Sequence, residues 1–349
     1  MKKIILVPIE PLDARYSIQW LAWFTKVITE DSRFDLIVVD PEPLTTDIES
    51  GAFLDVVGTN YYKAAQIQEL CKLIYAGTIT EDDTILLLDG WFPGVEALAY
   101  MRDGLQRNFK IAGCFHAGTY DASDFISKMG MGVWGEDLEN CWFSMYDSVF
   151  VATEYHKDLI CYNRKVNPYK IHVTGFPIYF DSSNHKKWDK RKIVVFPHRL
   201  TQDKQPHLFD ELAHLLAGEF PDWLFIKTQE GRRSKEDYYE LLSRSSIAVS
   251  FALHENWGIG MQESLFSGCI PIVPNRLSYM EMYPRLYRYN DFEGAVSMTR
   301  QLIITLGAMS LTDIDDDCYF KRKWKETVTD LYGKGTSAIP NMLEIIHGI

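Results

Sequence analysis

A chain of 349 residues with a hydrophobic fraction of 46% and a charged fraction of 24% has the balance of a globular protein, and its length favours two domains over one. Its formal net charge of -12 argues against a generally basic nucleic-acid coat, although a local basic groove stays open. No apolar run is long enough to span a bilayer, and the six cysteines, at 71, 114, 141, 161, 269 and 318, include no Cys-x-x-Cys pair, which points to reduced thiols in a cytoplasmic protein rather than to disulfides or zinc.

The N-terminus carries two lysines and a short apolar run that meets Pro8 and Glu10 too soon for a secretory signal, so it reads as a first buried strand. Short apolar runs then alternate with amphipathic segments, the pattern of βα units around parallel sheets. The first half offers strands at Ile4–Val7, Leu36–Val39, Thr84–Leu88, Lys110–Phe115, Ser148–Ala152 and Ile171–Thr174, with helical patterns around Ile18–Ile28 and Ala64–Leu73. Trp20, Trp23 and Phe24 read as core. A polar, strand-free stretch between Phe176 and Lys192 marks a domain boundary, after which strands recur at Ile193–Phe196, Trp223–Lys227, Ile247–Ser250 and Ile270–Val273. The cations of this boundary, Lys186, Lys187, Lys190, Arg191 and Lys192, form a solvated face or a basic rim for an anionic partner.

Two segments of the second half carry chemistry. After its first strand, Val194 to Pro206 places Arg199 and Lys204 at the C-terminal edge of a sheet, where open α/β folds bind ligands. An arginine there can grip a phosphate bidentately and a lysine can add a point charge. Further on, Glu255 and Glu263 bracket a turn containing Gly258 and Gly260 that opens a helix. That helix closes at Gly268 before the apolar strand Cys269 to Val273. A helix start offers unpaired N–H groups and the positive dipole end, and so suits phosphate. Were helical rise to apply throughout, the glutamates would stand roughly 12 Å apart along the axis. That spacing gives one acid to each end of a nucleotide-diphosphate sugar.

Glu255-Asn-Trp-Gly258, four further residues and Glu263 resemble the E-x7-E signature of GT-B glycosyltransferases, especially retaining family 4. Trp257 stands for the usual phenylalanine and Ser264 for the usual alanine. The segment around Arg199 and Lys204 likewise resembles the family's Gly-Arg-Leu…Lys-Gly element, with His198 in place of the glycine. The resemblance implies an α/β GT-B fold of two Rossmann-like, doubly wound domains facing a cleft. Residues 1–178 would form the acceptor-side domain and 179–318 the nucleotide-sugar domain, and 319–349 would be a helical segment crossing back to the first.

It also implies roles. Glu263 accepts hydrogen bonds from the ribose, and Glu255 faces the hydroxyls of the transferred sugar. The amides from Trp257 through Gly258, Ile259 and Gly260 to Met261 line the diphosphate and sugar. Arg199 and Lys204 stabilise the leaving phosphate. His116 contacts the donor sugar beside the reacting carbon, or else is a packed core histidine. Asp121 and Asp124 orient an acceptor hydroxyl or act as base, or else cap the following helix. Lys227 lies beside the base or is a strand-end charge. The Gly-Gly turn many relatives have after the first strand is missing, with Arg15 and Ser17 as substitutes. No bound cofactor, metal or covalent nucleophile is called for, and Asp313-Ile-Asp-Asp-Asp317 reads as a solvated loop or helix start rather than a metal motif.

The expected activity is retaining transfer from a nucleotide-diphosphate sugar, UDP-sugar favoured, to the hydroxyl of a glycan, a small molecule or hydroxymethylated DNA. The DNA alternative comes from a weaker likeness to bacteriophage-type glycosyltransferases, carried by Pro-Ile-Glu-Pro-Leu-Asp-Ala-Arg-Tyr-Ser, His-Ala-Gly-Thr-Tyr-Asp and Phe-Pro-His-Arg-Leu. Glucosyl or arabinosyl transfer to hydroxymethylated cytosine would need a basic patch from Lys186–Lys192, Arg232, Arg233 and Lys235, and a pocket for an extruded base. A nucleotide-sugar 2-epimerase, which needs no acceptor, and a catalytically silent binding module are the other readings.

Overall fold

The computed structural model describes residues 1–11, 16–44, 55–179, 190–231, 233–308 and 319–349. The chain divides into two compact units, Met1–Pro177 with Thr336–Ile349, and Ile178–Gly335.

In the first unit strands and helices alternate as β1 (Lys2–Val7), α1 (Ser17–Glu30), β2 (Phe34–Val38), α2 (Val56–Tyr75), β3 (Thr84–Leu87), α3 (Val95–Gly104), β4 (Lys110–Cys114), α4 (Gly132–Met145), β5 (Ser148–Val151), α5 (Glu154–Asn163) and β6 (Ile171–Val173). The sheet runs β2-β1-β3-β4-β5-β6, and every pairing is parallel. Strands covered on both faces need apolar side chains on both, which is why Thr84–Leu87 and Ser148–Val151 are buried at every position. Helix α1 shows the complementary logic. Trp20, Phe24 and Ile28 fall four residues apart on one face, and all three are fully buried.

The second unit continues with β7 (Ile193–Phe196), α6 (Pro206–Ala217), β8 (Leu224–Lys227), α7 (Lys235–Arg244), β9 (Ile247–Val249), α8 (Ile259–Phe266), β10 (Ile270–Pro274), α9 (Tyr279–Met282), β11 (Arg288–Tyr289), α10 (Phe292–Ala308) and α11 (Tyr319–Gly348). Its parallel sheet runs β11-β10-β9-β7-β8. Taken from the other edge, the order β8-β7-β9-β10-β11 repeats β2-β1-β3-β4-β5 of the first unit. Each unit therefore has a topological switch beside its first strand, between β1 and β3 in one and between β7 and β9 in the other. Helix α11 belongs to the second unit up to Gly335 and to the first from Thr336 onward, where Ala338, Ile339, Met342, Leu343 and Ile346 are buried.

Each expected strand is present to within two residues at either end, β1 and β2 starting two residues earlier than expected. Strand β11 was not foreseen, because two residues make no apolar run. The expected helical spacing between the two glutamates is corrected, since α8 begins only at Ile259 and Glu255 to Gly258 is a turn. The helix also stops at Phe266, two residues before Gly268. The five described cysteines are free thiols. Among the described residues no helix is long and apolar enough to cross a membrane.

Candidate functional site

The switch between β7 and β9 is the place where two neighbouring strands send their following segments in opposite directions and leave a crevice at their C-terminal ends. Two sequence motifs meet there, Pro197 to Lys204 after β7 and Ser250 to Gly258 after β9. Cross-links hold them together. His198 Nε2 lies 2.8 Å from Ser250 Oγ, which lies 2.9 Å from the Tyr279 hydroxyl. The Leu253 amide donates to the Asp203 carbonyl at 2.7 Å. In the position expected to be glycine, His198 thus ties the two loops. Burial, with Lys204 nearby, pushes its imidazole down to about 3, so it is neutral.

Lys204 is buried. Its ammonium donates to the His254 carbonyl, lies 3.2 Å from Glu255 Oε2 and 3.4 Å from Asp203 Oδ2. Glu255 Oε1 accepts the Gly258 amide at 2.8 Å. Burial alone would raise the Glu255 carboxyl, but Lys204, His198 and that amide outweigh it and hold the group down at about 2. Lys204 similarly keeps Asp203 below its ordinary value against burial. Arg199 lies 3.8 Å from Asp203 and is 39% exposed, so it is the cation of the pair that reaches solvent.

Gly258 caps α8 with φ 63°, a left-handed conformation that favours glycine. At Gly260 the requirement is space, because a Cβ would stand 2.3 Å from the Pro197 carbonyl oxygen. The first turn of α8 therefore lies against the β7 loop. Its first bond runs from the Gln262 amide to the Gly258 carbonyl. The amides of Ile259, Gly260 and Met261 stand ahead of that bond, where a helix supplies no internal acceptor. Trp257 is 4% exposed, and its indole N–H has no acceptor among the described residues. Together these bring a helix N-terminus, a partly exposed arginine and a buried Lys–Glu pair into one corner, a combination suited to an anion.

Glu263 lies on α8 beyond those amides, on the side of α7. Its Oε1 accepts from the Tyr239 hydroxyl and its Oε2 from the Tyr238 hydroxyl, each at 2.8 Å. Burial raises its carboxyl, and the two tyrosine hydrogen bonds oppose that shift. Neither tyrosine was singled out from sequence, since two tyrosines within Lys-Glu-Asp-Tyr-Tyr-Glu carry no pattern that separates a ligand of a carboxylate from a packing residue. Lys227 is held by Asp210 at 2.6 Å and Glu230 at 2.9 Å, as a strand-end charge.

His116 and Asp121 belong to the first unit, on the segment after β4. His116 Nε2 lies 2.8 Å from the Leu88 carbonyl and Nδ1 3.2 Å from the Tyr16 hydroxyl, with the Trp20 and Phe176 rings 4.8 and 4.7 Å away. Burial lowers its pKa and favours neutral imidazole. The Asp121 and Asp124 carboxylates accept the amides of Ser123 and Ile126, at 2.7 and 2.8 Å. These are local turn-forming bonds. The segment is anchored by a buried ion pair, Arg164 to Glu139 at 2.7 Å, whose members also bind Thr119.

The basic rim fares differently. Lys190 is turned inward, donating to the carbonyls of Ser245 and Ser267 at 2.6 Å and Leu242 at 3.3 Å. Lys192 pairs with Asp222. Lys186, Lys187 and Arg232, like Arg15 and the Asp313–Asp317 run, lie outside the described residues. Among the described residues no group of three or more His, Cys, Asp or Glu is placed to hold a metal.

Two parallel-sheet, Rossmann-like units make this the α/β architecture of the GT-B glycosyltransferases. A UDP-forming α,α-trehalose-phosphate synthase from Burkholderia vietnamiensis aligns over 100% of this chain and 99% of its own, with a TM-score of 0.65 at 12% identity. A variant of S. aureus TarM, in complex with fondaparinux, α-GlcNAc-glycerol and UDP, aligns over 82% of this chain and 59% of its own, with a TM-score of 0.60 at 16% identity. No family model matches. In sequence the chain is similar to a tRNA-queuosine α-mannosyltransferase of Drosophila melanogaster, 34% identical over 155 residues. That match takes in 35% of this chain and 41% of the relative, so the chain spans about two fifths of the relative's length.

Proposed function

We propose that the chain is a retaining glycosyltransferase that moves a sugar from a nucleoside-diphosphate sugar to an acceptor hydroxyl. The observation that carries this reading is the corner at the β7/β9 switch, where Lys204, Glu255 and the Gly258 amide interlock beneath Arg199 and the start of α8. Diphosphate is a leaving group whose developing charge needs fixed positive potential. Arg199 meets it directly in this reading, the α8 amides supply the dipole end, and Lys204 keeps Glu255 ionised and in place. These groups serve without a metal. Glu255, held at its Oε1 and Oε2, presents carboxylate to the hydroxyls of the transferred sugar.

In the step itself the bond between the anomeric carbon and the β-phosphate oxygen breaks, and the acceptor oxygen bonds that carbon from the same face. The acceptor proton passes to the departing phosphate oxygen, so no enzyme nucleophile is needed. Roles for His116 toward the donor sugar and for Asp121 toward the acceptor are part of this proposal. UDP is the favoured nucleotide, supported by UDP in the TarM complex and in that of a pneumococcal O-GlcNAc transferase of the same fold. The partial match to a tRNA-queuosine mannosyltransferase favours a hydroxyl on a modified nucleoside as acceptor, ahead of glycans and small molecules.

Nucleoside-diphosphate release from UDP-, GDP- and ADP-sugars tests this, with and without tRNA carrying queuosine and DNA carrying 5-hydroxymethylcytosine. One donor should turn over, with a matching mass gain on one acceptor and an unchanged anomeric configuration. Lys204→Met should cut the rate by about 100-fold or more, because it strands the Glu255 carboxylate. Full activity in that variant would remove the site assignment, and an inverted product would remove the same-face step.

A further inference from the structure

We propose that Tyr238 and Tyr239 make the site selective for ribonucleotides over 2′-deoxyribonucleotides, by fixing Glu263 to receive a vicinal diol. The inference rests on the donor reading above and adds two residues to it. Neighbours in a helix point about 100° apart, so adjacent side chains seldom share a target. Here they do. Both hydroxyls converge on one carboxylate, one to each oxygen, at 2.8 Å, with the tyrosine rings 5.3 Å apart.

A free glutamate has three side-chain torsions to lose on binding. With each oxygen already accepting a phenolic proton, that loss is met on folding rather than on ligand binding. A carboxylate has about four acceptor positions, so each Glu263 oxygen retains capacity for a further proton. Two such positions side by side match the two hydroxyls of a vicinal diol, whereas a sugar with one hydroxyl fills only one. The E-x7-E resemblance implies which diol, and the place of Glu263 along α8 is compatible with it. Glu263 lies past Ile259, Gly260 and Met261, whose amides would face the diphosphate, and on the α7 side. The group next to the diphosphate on the nucleoside side of the donor is the ribose.

Calorimetric titration of the full chain with UDP, GDP and ADP and their 2′-deoxy counterparts tests the proposal, in wild type, Tyr238→Phe, Tyr239→Phe and the double variant. Wild type should prefer one ribonucleotide over its 2′-deoxy form by about tenfold, and the preference should fall to near unity in the double variant. With donor sugar, KM should rise about tenfold while kcat moves by less than about twofold. A thermal melt shows that each variant is folded, and should the double variant fail to fold, the two single variants carry the comparison. An unchanged preference in folded variants, with only the melting temperature lowered, assigns the tyrosines to packing and overturns the proposal. A wild type that binds none of the nucleotides overturns the donor reading instead.

Discussion

Burial penalises charge at both Glu255 and His198, yet the two groups respond in opposite ways. Glu255 stays ionised because Lys204 and the Gly258 amide lie within hydrogen-bond reach. His198 has a cation for a neighbour and gives up its proton. Both shifts carry the same sign for stability. The His198 imidazole is held at about 3 against an ordinary 6.5, so the unfolded chain takes up its proton first as pH falls. Its contribution is complete above pH 6.5 and is lost on the way down to about 3. Glu255 adds a loss between its ordinary 4.5 and about 2. Denaturation midpoints measured from pH 7 to 4 should therefore fall, and should fall less steeply in His198→Gln. Parallel profiles for the two proteins would show that His198 does not titrate as its burial implies. From the sequence, Glu255, Glu263 and Arg199 were legible because their side chains sit at motif spacings. The role of His198 was not, because it depends on Ser250, far along the chain.

At the scale of elements, α8 is defined by its ends. Gly258 starts it in a left-handed turn, and its close approach to β7 leaves room only for glycine at 260. Its far end shares a cap with α7, where the Lys190 ammonium gathers the Ser245, Ser267 and Leu242 carbonyls. A cation at a helix C-terminus is favourable, and carbonyls buried without a partner are costly. Lys190→Met should therefore cost about 1–3 kcal/mol of stability, read from denaturant midpoints, and leave nucleic-acid affinity in gel-shift titrations unchanged. Weakened nucleic-acid binding at unchanged stability would return Lys190 to the basic rim. A run of lysines does not announce which of its members folds inward. That choice is made by carbonyls presented from other elements.

For the whole molecule, the chain returns to its first unit at the end. Ala338, Ile339, Met342, Leu343 and Ile346 are buried there, Lys2 donates to the Ile346 carbonyl at 2.9 Å, and Arg33 pairs with Glu344 at 2.8 Å. Each large apolar side chain so buried contributes about 1.5–3 kcal/mol, and together they approach the net stability of a typical domain, about 5–15 kcal/mol. A chain ending at Gly335 should lose the cooperative thermal transition of the first unit, seen as early protease cleavage within residues 1–177. A melting curve like that of the full chain would show that this packing is dispensable.

The alternation of apolar runs and amphipathic segments was enough to define two sets of parallel strands and helices, because period and burial are local properties of the chain. The paired glutamates and the Arg–Lys segment stood out by their spacing as candidates for a nucleotide-sugar site. Strand order was not in the sequence. It is the order β8-β7-β9 that puts Pro197–Lys204 and Ser250–Gly258 on either side of one crevice and brings Lys204 to Glu255. Charge state, accessibility and partnership at such a site arise from groups distant in sequence, as with His198 and Ser250 or Glu263 and the two tyrosines. Hydrogen bonds of that kind exist only once the sheet has closed, so tertiary structure alone decides them.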